Sequence, residues 1–200
     1  MPLSETLELF ESAIDDLIDW LESEAVPYTL IGGIAVSLLS APRATQDVDC
    51  VIWLDEARWA ATLKSAERFH LVSRMSSPVE FARRARVFLL QHQPSGISLD
   101  VSLAALPFER EMIERSRNLS RGGISARVPS IEDLIITKLV AHRLKDLVDV
   151  ESLLSASSHI DLARIRKFAK EFAEATDRPE IYDDFEQLLR ETTRQTRRSK

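Results

Sequence analysis

Cysteine is almost missing: Cys50 stands alone among 200 residues, so no disulfide can close within the chain and a reducing cytoplasm is the expected compartment. Long hydrophobic runs are missing too. Nothing approaches the roughly 20 apolar residues that a membrane-spanning helix needs, so no membrane partner is expected. The opening MPLSETLELFESAIDDL is acidic and amphipathic and lacks the basic start and apolar stretch of a signal peptide. Basic charge is in deficit. Lys and Arg number 26 against 32 Asp and Glu, a formal net charge of -6, which argues against a surface devoted to non-specific nucleic-acid binding. Two local basic clusters remain, Arg83, Arg84 and Arg86, and the tail residues Arg194, Arg197, Arg198 and Lys200. Glycine is scarce, with five in all. They form neither a Gly-x-Gly-x-x-Gly dinucleotide fingerprint nor a Walker A loop ending in Gly-Lys-Ser/Thr.

What is present is a soluble balance of 44% hydrophobic and 29% charged residues. Apolar residues at Leu7, Phe10, Ile14, Leu17, Ile18 and Leu21 predict a helix over Ser4 to Ser23. Tyr28 to Ile31 reads as a short strand, and Ile34 to Leu39 as a short helix after the Gly32-Gly33 break. Val48 to Leu54 reads as a second strand, and Asp55 is placed to cap a helix to Phe69. Strands are expected at Ala85 to Gln91 and Ile97 to Leu103, joined by a Pro- and Gly-containing hairpin linker. A helix from Pro107 to Arg115 precedes a Gly122-Gly123 turn and a strand over Ile124 to Val128. Ser130, with Asp133 three residues on, resembles a capping box. Helices are then expected at Ile131 to Leu154, Asp161 to Ala175 and Pro179 to Arg194. The fold class is α+β: a mixed sheet flanked by helices over residues 1–128, and a helical C-terminal region over 129–200.

Carboxylates carry the chemistry. Successive strand side chains alternate faces, so Asp47 and Asp49 point one way while Val48, Cys50 and Ile52 point toward a core. Two like charges on one face of an apolar strand repel and lose solvation unless a cation or donor sits between them. Asp100 repeats the pattern in ISLDVSL, with Ser98 and Ser102 on its face. If the two strands are neighbours, three acids converge. That suits a two-metal clamp with ions about 4 Å apart around an in-line displacement. Mg2+, or Mn2+, takes carboxylate and phosphate oxygens of this kind. Gly32-Gly33, between a strand and a helix, is placed to let backbone approach a phosphate.

Together, LIGGIAVSLLSAPRATQDVDCVIWLD and the later SLDVSL resemble the DNA polymerase β-like nucleotidyltransferase superfamily, and within it the AbiEii-type or MenT-like toxin nucleotidyltransferases. The resemblance covers about Tyr28 to Leu154. It implies a nucleotidyltransferase-like fold, with residues 1–128 as catalytic core. It makes Asp47, Asp49 and Asp100 the catalytic, metal-holding carboxylates, with Gly32 and Gly33 cradling a nucleoside triphosphate. Arg43 lies near that triphosphate in this reading, Thr45 orients the carboxylate loop, and Lys138 contacts the triphosphate from a later helix. The first motif is Gly-Ser in many superfamily members; here its second position is Gly33, so a serine contact to phosphate is lacking.

Lys138, His142, Lys145 and Asp149 share one face of the expected helix, where His142 to Asp146 and Lys145 to Asp149 form i,i+4 pairs. His70, His92 and His159 belong to no cluster in the sequence. The expected function is Mg2+-dependent transfer of a nucleotidyl group from an NTP to an acceptor hydroxyl. The resemblance suggests a tRNA 3′ end, a protein or a small molecule as acceptor, and, in a toxin setting, an antitoxin partner. Arg83, Arg84 and Arg86 are candidates for guiding RNA. Two alternatives stand beside this. One is a catalytically inactive nucleotidyltransferase-fold binding protein. The other is a small-molecule, antibiotic-type nucleotidyltransferase with an acidic pocket from Asp146, Asp149 and Glu151.

Overall fold

Ile14, Leu17, Trp20 and Leu21 recur at helical spacing, and α1 (Leu3–Ser23) buries this stripe. Each large apolar side chain so covered contributes about 1.5–3 kcal/mol. Trp20 also donates its indole N–H to the carbonyl of Thr62 at 3.0 Å. The computed structural model describes residues 3–157 and 159–198. It forms two compact units, Met1–Ala35 with Arg43–Pro129, and Val36–Pro42 with Ser130–Lys200. No helix among the described residues is long and apolar enough to cross a membrane.

In the first unit α1 is followed by β1 (Tyr28–Leu30), the start of α2 (Gly32–Leu39), β2 (Asp47–Ile52), α3 (Trp59–Ser65), β3 (Leu71–Ser73), α4 (Pro78–Ala85), β4 (Val87–His92), β5 (Ser98–Leu103), α5 (Pro107–Arg115), β6 (Arg117–Arg121) and β7 (Ile124–Val128). Five strands make one mixed sheet in the order β1-β2-β5-β4-β3, and β6 and β7 make a separate hairpin. β2 and β5 run parallel, and the other pairs are antiparallel. Val48, Cys50, Leu99 and Val101 are buried, as their alternation predicts.

Several elements differ from the sequence reading. The Gly32-Gly33 pair does not precede α2 but forms its first turn. The helix expected over Asp55 to Phe69 is shorter. α3 lies between 3-10 turns at Glu56–Arg58 and Ala66–Phe69, and Asp55 makes no side-chain cap. β3, α4 and β6 have no counterpart among the elements expected from sequence. Every residue of β6 is exposed, so no apolar alternation marks it.

The second unit carries α6 (Ile131–Ala141), α7 (Leu144–Ala156), α8 (Leu162–Thr176) and α9 (Glu180–Arg198). Ser130 caps α6, accepting the Asp133 N–H at 3.2 Å. The single helix expected over Ile131 to Leu154 is broken. His142 turns left-handed at φ 55 and returns its N–H to the Lys138 carbonyl, closing α6. Arg143 is extended, and its N–H donates to Asp146 Oδ2 at 3.1 Å, starting α7. The break parts His142 from Asp146, an expected i,i+4 pair. His142 pairs with Asp184 at 3.0 Å, and Asp146 takes Arg143 and Lys138. Lys138 is itself buried, with Nζ 3.2 Å from Asp146 and 2.8 Å from Asp149. Asp146 and Asp149 are thus interior counter-ions rather than the lining of an acidic pocket. Of the basic tail, Arg194 is exposed on α9, and Lys200 lies outside the described residues.

Candidate active site

The parallel pairing of β2 with β5 sets the geometry. In its register Asp49 sits directly beside Asp100, and Asp47 beside Ser98. Neighbouring strands lie about 4.8 Å apart, and residues two apart on a strand share a face. Asp47, Asp49 and Asp100 are all half-buried, whereas Val48, Cys50, Leu99 and Val101 between them are buried. Three carboxylates therefore leave one face of two adjacent strands. This all-oxygen donor set suits a hard divalent cation.

The surrounding loop is built around these acids. Thr45 Oγ1 lies 3.1 Å from both the carbonyl oxygen and Oδ1 of Asp47. The Ile31 N–H donates to the Asp49 carbonyl at 2.8 Å, which brings the Gly32-Gly33 turn against β2. Gly32 adopts φ +65, and a Cβ there would lie 2.6 Å from Asp49 Cγ. At Gly33 a Cβ would lie 2.7 Å from Thr45 Oγ1 and 3.3 Å from Arg43 Nη1. Both glycines are needed for this close approach, whatever ligand they meet. Replacing Gly32 by alanine is expected to cost about 1–3 kcal/mol, from left-handed strain and displacement of Asp49. Gly96 provides the comparison, with φ +72 and nothing within 4 Å of its Cβ. Gly96→Ala should show the strain alone, about 1–2 kcal/mol, in the same urea denaturation series.

Arg74 has no counterpart in the sequence reading. It follows β3, and its guanidinium forms an ion pair with the Asp100 carboxylate. Nothing local marks it, because its partner is 26 residues away. The Arg83, Arg84 and Arg86 cluster is dispersed. Arg83 pairs with Glu56 at 2.9 Å. Arg86 donates to the Leu103 and Ala104 carbonyls and stacks over Trp59 at 5.1 Å. Cys50 is fully buried on the opposite face of β2, and burial pushes its thiol far above the ordinary range. His70 and His92 meet around Asp16, far apart though the three stand in the chain.

Residues 7–197 match the family described as nucleotidyltransferase of unknown function, DUF6036. The chain belongs to this nucleotidyltransferase family. No curated protein matches the sequence. Among solved structures, the nucleotidyltransferase is similar to the antibiotic-resistance factor ANT(2'')-Ia in its solution structure. That match has 13% identity, covers 86% of this chain and 94% of that one, and has a TM-score of 0.58. ANT(2")-Ia in complex with adenylyl-2"-tobramycin aligns at 14% identity over 82% of this chain and 97% of that one, with a TM-score of 0.55. Identities this low speak for the fold. The family makes the chain an enzyme of the nucleotidyltransferase class.

Proposed function

We propose that this nucleotidyltransferase moves a nucleotidyl group from an NTP onto a hydroxyl of a small-molecule acceptor, with Mg2+ or Mn2+ held by Asp47, Asp49 and Asp100. The observation that carries the reading is the placement of Asp49 beside Asp100 across parallel strands, with Asp47 on the same face. Those three carboxylates would hold the ion, which would supply neutralisation of charge developing on the phosphates and acidification of the attacking hydroxyl. The chain's own residues hold that arrangement. Thr45 fixes the Asp47 carboxylate, and the Gly32-Gly33 turn presses its backbone against Asp49 and Thr45. The N–H groups of that turn open α2 and suit a triphosphate oxygen. Arg43, whose guanidinium lies beside Gly33, is assigned to the same phosphates. Lys138 is left out of this assignment, because its ammonium already neutralises two buried carboxylates.

A small acceptor is favoured over RNA by charge. The chain carries a net -6, and Arg83 and Arg86 are engaged within the protein. The likeness to ANT(2")-Ia, whose complex holds adenylyl-2"-tobramycin, points the same way. The AbiEii-type or MenT-like reading, with a tRNA 3′ end as acceptor and an antitoxin as partner, rests on the motifs around Gly32, Gly33, Asp47 and Asp49. One experiment separates the two. The protein is incubated with each α-labelled NTP and Mg2+ or Mn2+, in parallel with polyhydroxylated small molecules, total RNA and cell protein. Label on a small molecule with released pyrophosphate is the expected result. Label confined to a tRNA-sized band supports the toxin-type reading, and no label on any acceptor overturns the proposal.

A further inference from the structure

Asp16, His70 and His92 come from three separate elements and converge on one point. Asp16 lies mid-way along α1, His70 just before β3, and His92 at the end of β4. Asp16 Oδ2 is 2.9 Å from His70 Nδ1 and 2.9 Å from His92 Nε2. The three ligand atoms all lie within 4.8 Å of one another. Tetrahedral zinc, with bonds of about 2.0–2.2 Å, separates neighbouring donors by about 3.3 Å, so small adjustments accommodate an ion.

The backbone fixes both rings. His70 closes the Ala66–Phe69 turn in the left-handed conformation at φ 58. Its carbonyl accepts the Gln93 N–H at 2.9 Å, and Leu71 pairs with His92 across β3 and β4. The two imidazoles stand edge to face at 81°. His92 is fully buried, and its second nitrogen, Nδ1, lies 2.7 Å from Ser95 Oγ. A supporting partner on the far nitrogen is what fixes the tautomer of a metal-bound histidine. The His70 side chain is 60% exposed and that of Asp16 25%, so an ion can enter from solvent and keep a water. Two imidazoles and one carboxylate are a borderline donor set, suited to zinc and its transition-metal neighbours rather than to Mg2+.

We propose that Asp16, His70 and His92 form a site for a zinc-class divalent cation, separate in its residues from the Asp47, Asp49 and Asp100 set, which ties α1 to the β3–β4 edge of the sheet. The tautomer of His92 is diagnostic. Without metal, Nε2–H donates to Asp16 and Nδ1 accepts from the Ser95 hydroxyl. With metal, the Nε2 lone pair binds the ion and Nδ1–H donates to Ser95 Oγ.

The test uses the whole chain, stripped with a chelator, without NTP. Zinc is titrated calorimetrically into the wild type, His70→Asn and Asp16→Asn, with the imidazole 15N shifts followed in parallel. His70→Asn keeps a residue that tolerates positive φ at an exposed position. Expected are one zinc per chain, a switch of the His92 tautomer, and a rise in Tm. Each variant should lose more than the roughly 10- to 100-fold in affinity that loss of a supporting partner costs. Circular dichroism checks that both variants fold, and Ser95→Ala replaces either one that does not, with an affinity loss inside that range. Absence of saturable zinc binding, an unchanged tautomer, or equal affinity in the folded variants overturns the proposal. None of these outcomes depends on nucleotidyl transfer, so the two readings stand or fall separately.

Discussion

Asp49→Asn is expected to slow nucleotidyl transfer by at least about a thousandfold, equivalent to about 4 kcal/mol of transition-state stabilisation. Asparagine keeps the size and shape of the side chain but removes the charge that sits beside Asp100 in the register of β2 and β5. The loss should therefore be electrostatic. Two like charges on adjacent strands are mutually unfavourable, so the variant should unfold within about 1 kcal/mol of the wild type when Mg2+ is absent. The wild type, in contrast, should gain thermal stability when Mg2+ and NTP are added together, and the variant should gain much less. Initial rates of label transfer and paired melting curves measure both effects. A variant that keeps more than about a tenth of the wild-type rate would remove Asp49 from the metal site.

Lys138→Met is expected to cost about 3 kcal/mol of folding stability, because it removes a buried ammonium shared by Asp146 and Asp149 and leaves Asp146 with Arg143. The Lys138 side chain is 7% exposed, that of Asp146 0% and that of Asp149 4%. Burial alone would raise the Asp146 carboxyl. Hydrogen bonds from Arg143 and the charge of Lys138 outweigh it and hold the group below its ordinary value of 3.8. A carboxyl lowered on folding stabilises the native state above its unfolded value, and that contribution is lost as pH falls through the lowered value. Wild-type stability from this group should thus be full at neutral pH and decline only in strong acid. The Met variant should keep a weaker acid dependence, because Arg143 still bonds the carboxylate, and adding Asp146→Asn should recover part of the deficit. Urea denaturation at pH 7 and at a series of acid values reads all three. Activity lost in Lys138→Met above its own melting temperature reports unfolding, not a missing phosphate contact.

Much of the candidate site was legible because it is local. The alternation in DVDCVI and SLDVSL puts acids on one face and aliphatic residues on the other, and those strands appear at Asp47–Ile52 and Ser98–Leu103. Pro107, Ser130 and Gly122-Gly123 mark element ends through fixed φ, a side-chain acceptor and positive φ, and each stands where such a residue belongs. What the sequence concealed was non-local or unpunctuated. Helical periodicity runs through His142 and Arg143 with no Gly or Pro, and the break is imposed by Asp146 recapturing the Arg143 N–H. The segment PVEFARRA, about two helical turns long, is too short for apolar periodicity to announce α4. The grouping of Asp16 with His70 and His92 spans 54 and 76 positions, and no spacing rule reaches that far.

Cys50 lies in the core of β2 with its thiol held protonated by burial, so maleimide dyes will pass it by under native conditions. With no other sulfhydryl in the sequence, a cysteine placed at an exposed position such as Leu144, 87% exposed on α7, becomes the sole reactive handle. Fluorescence or spin labels can then be attached at one chosen point without first removing the native thiol.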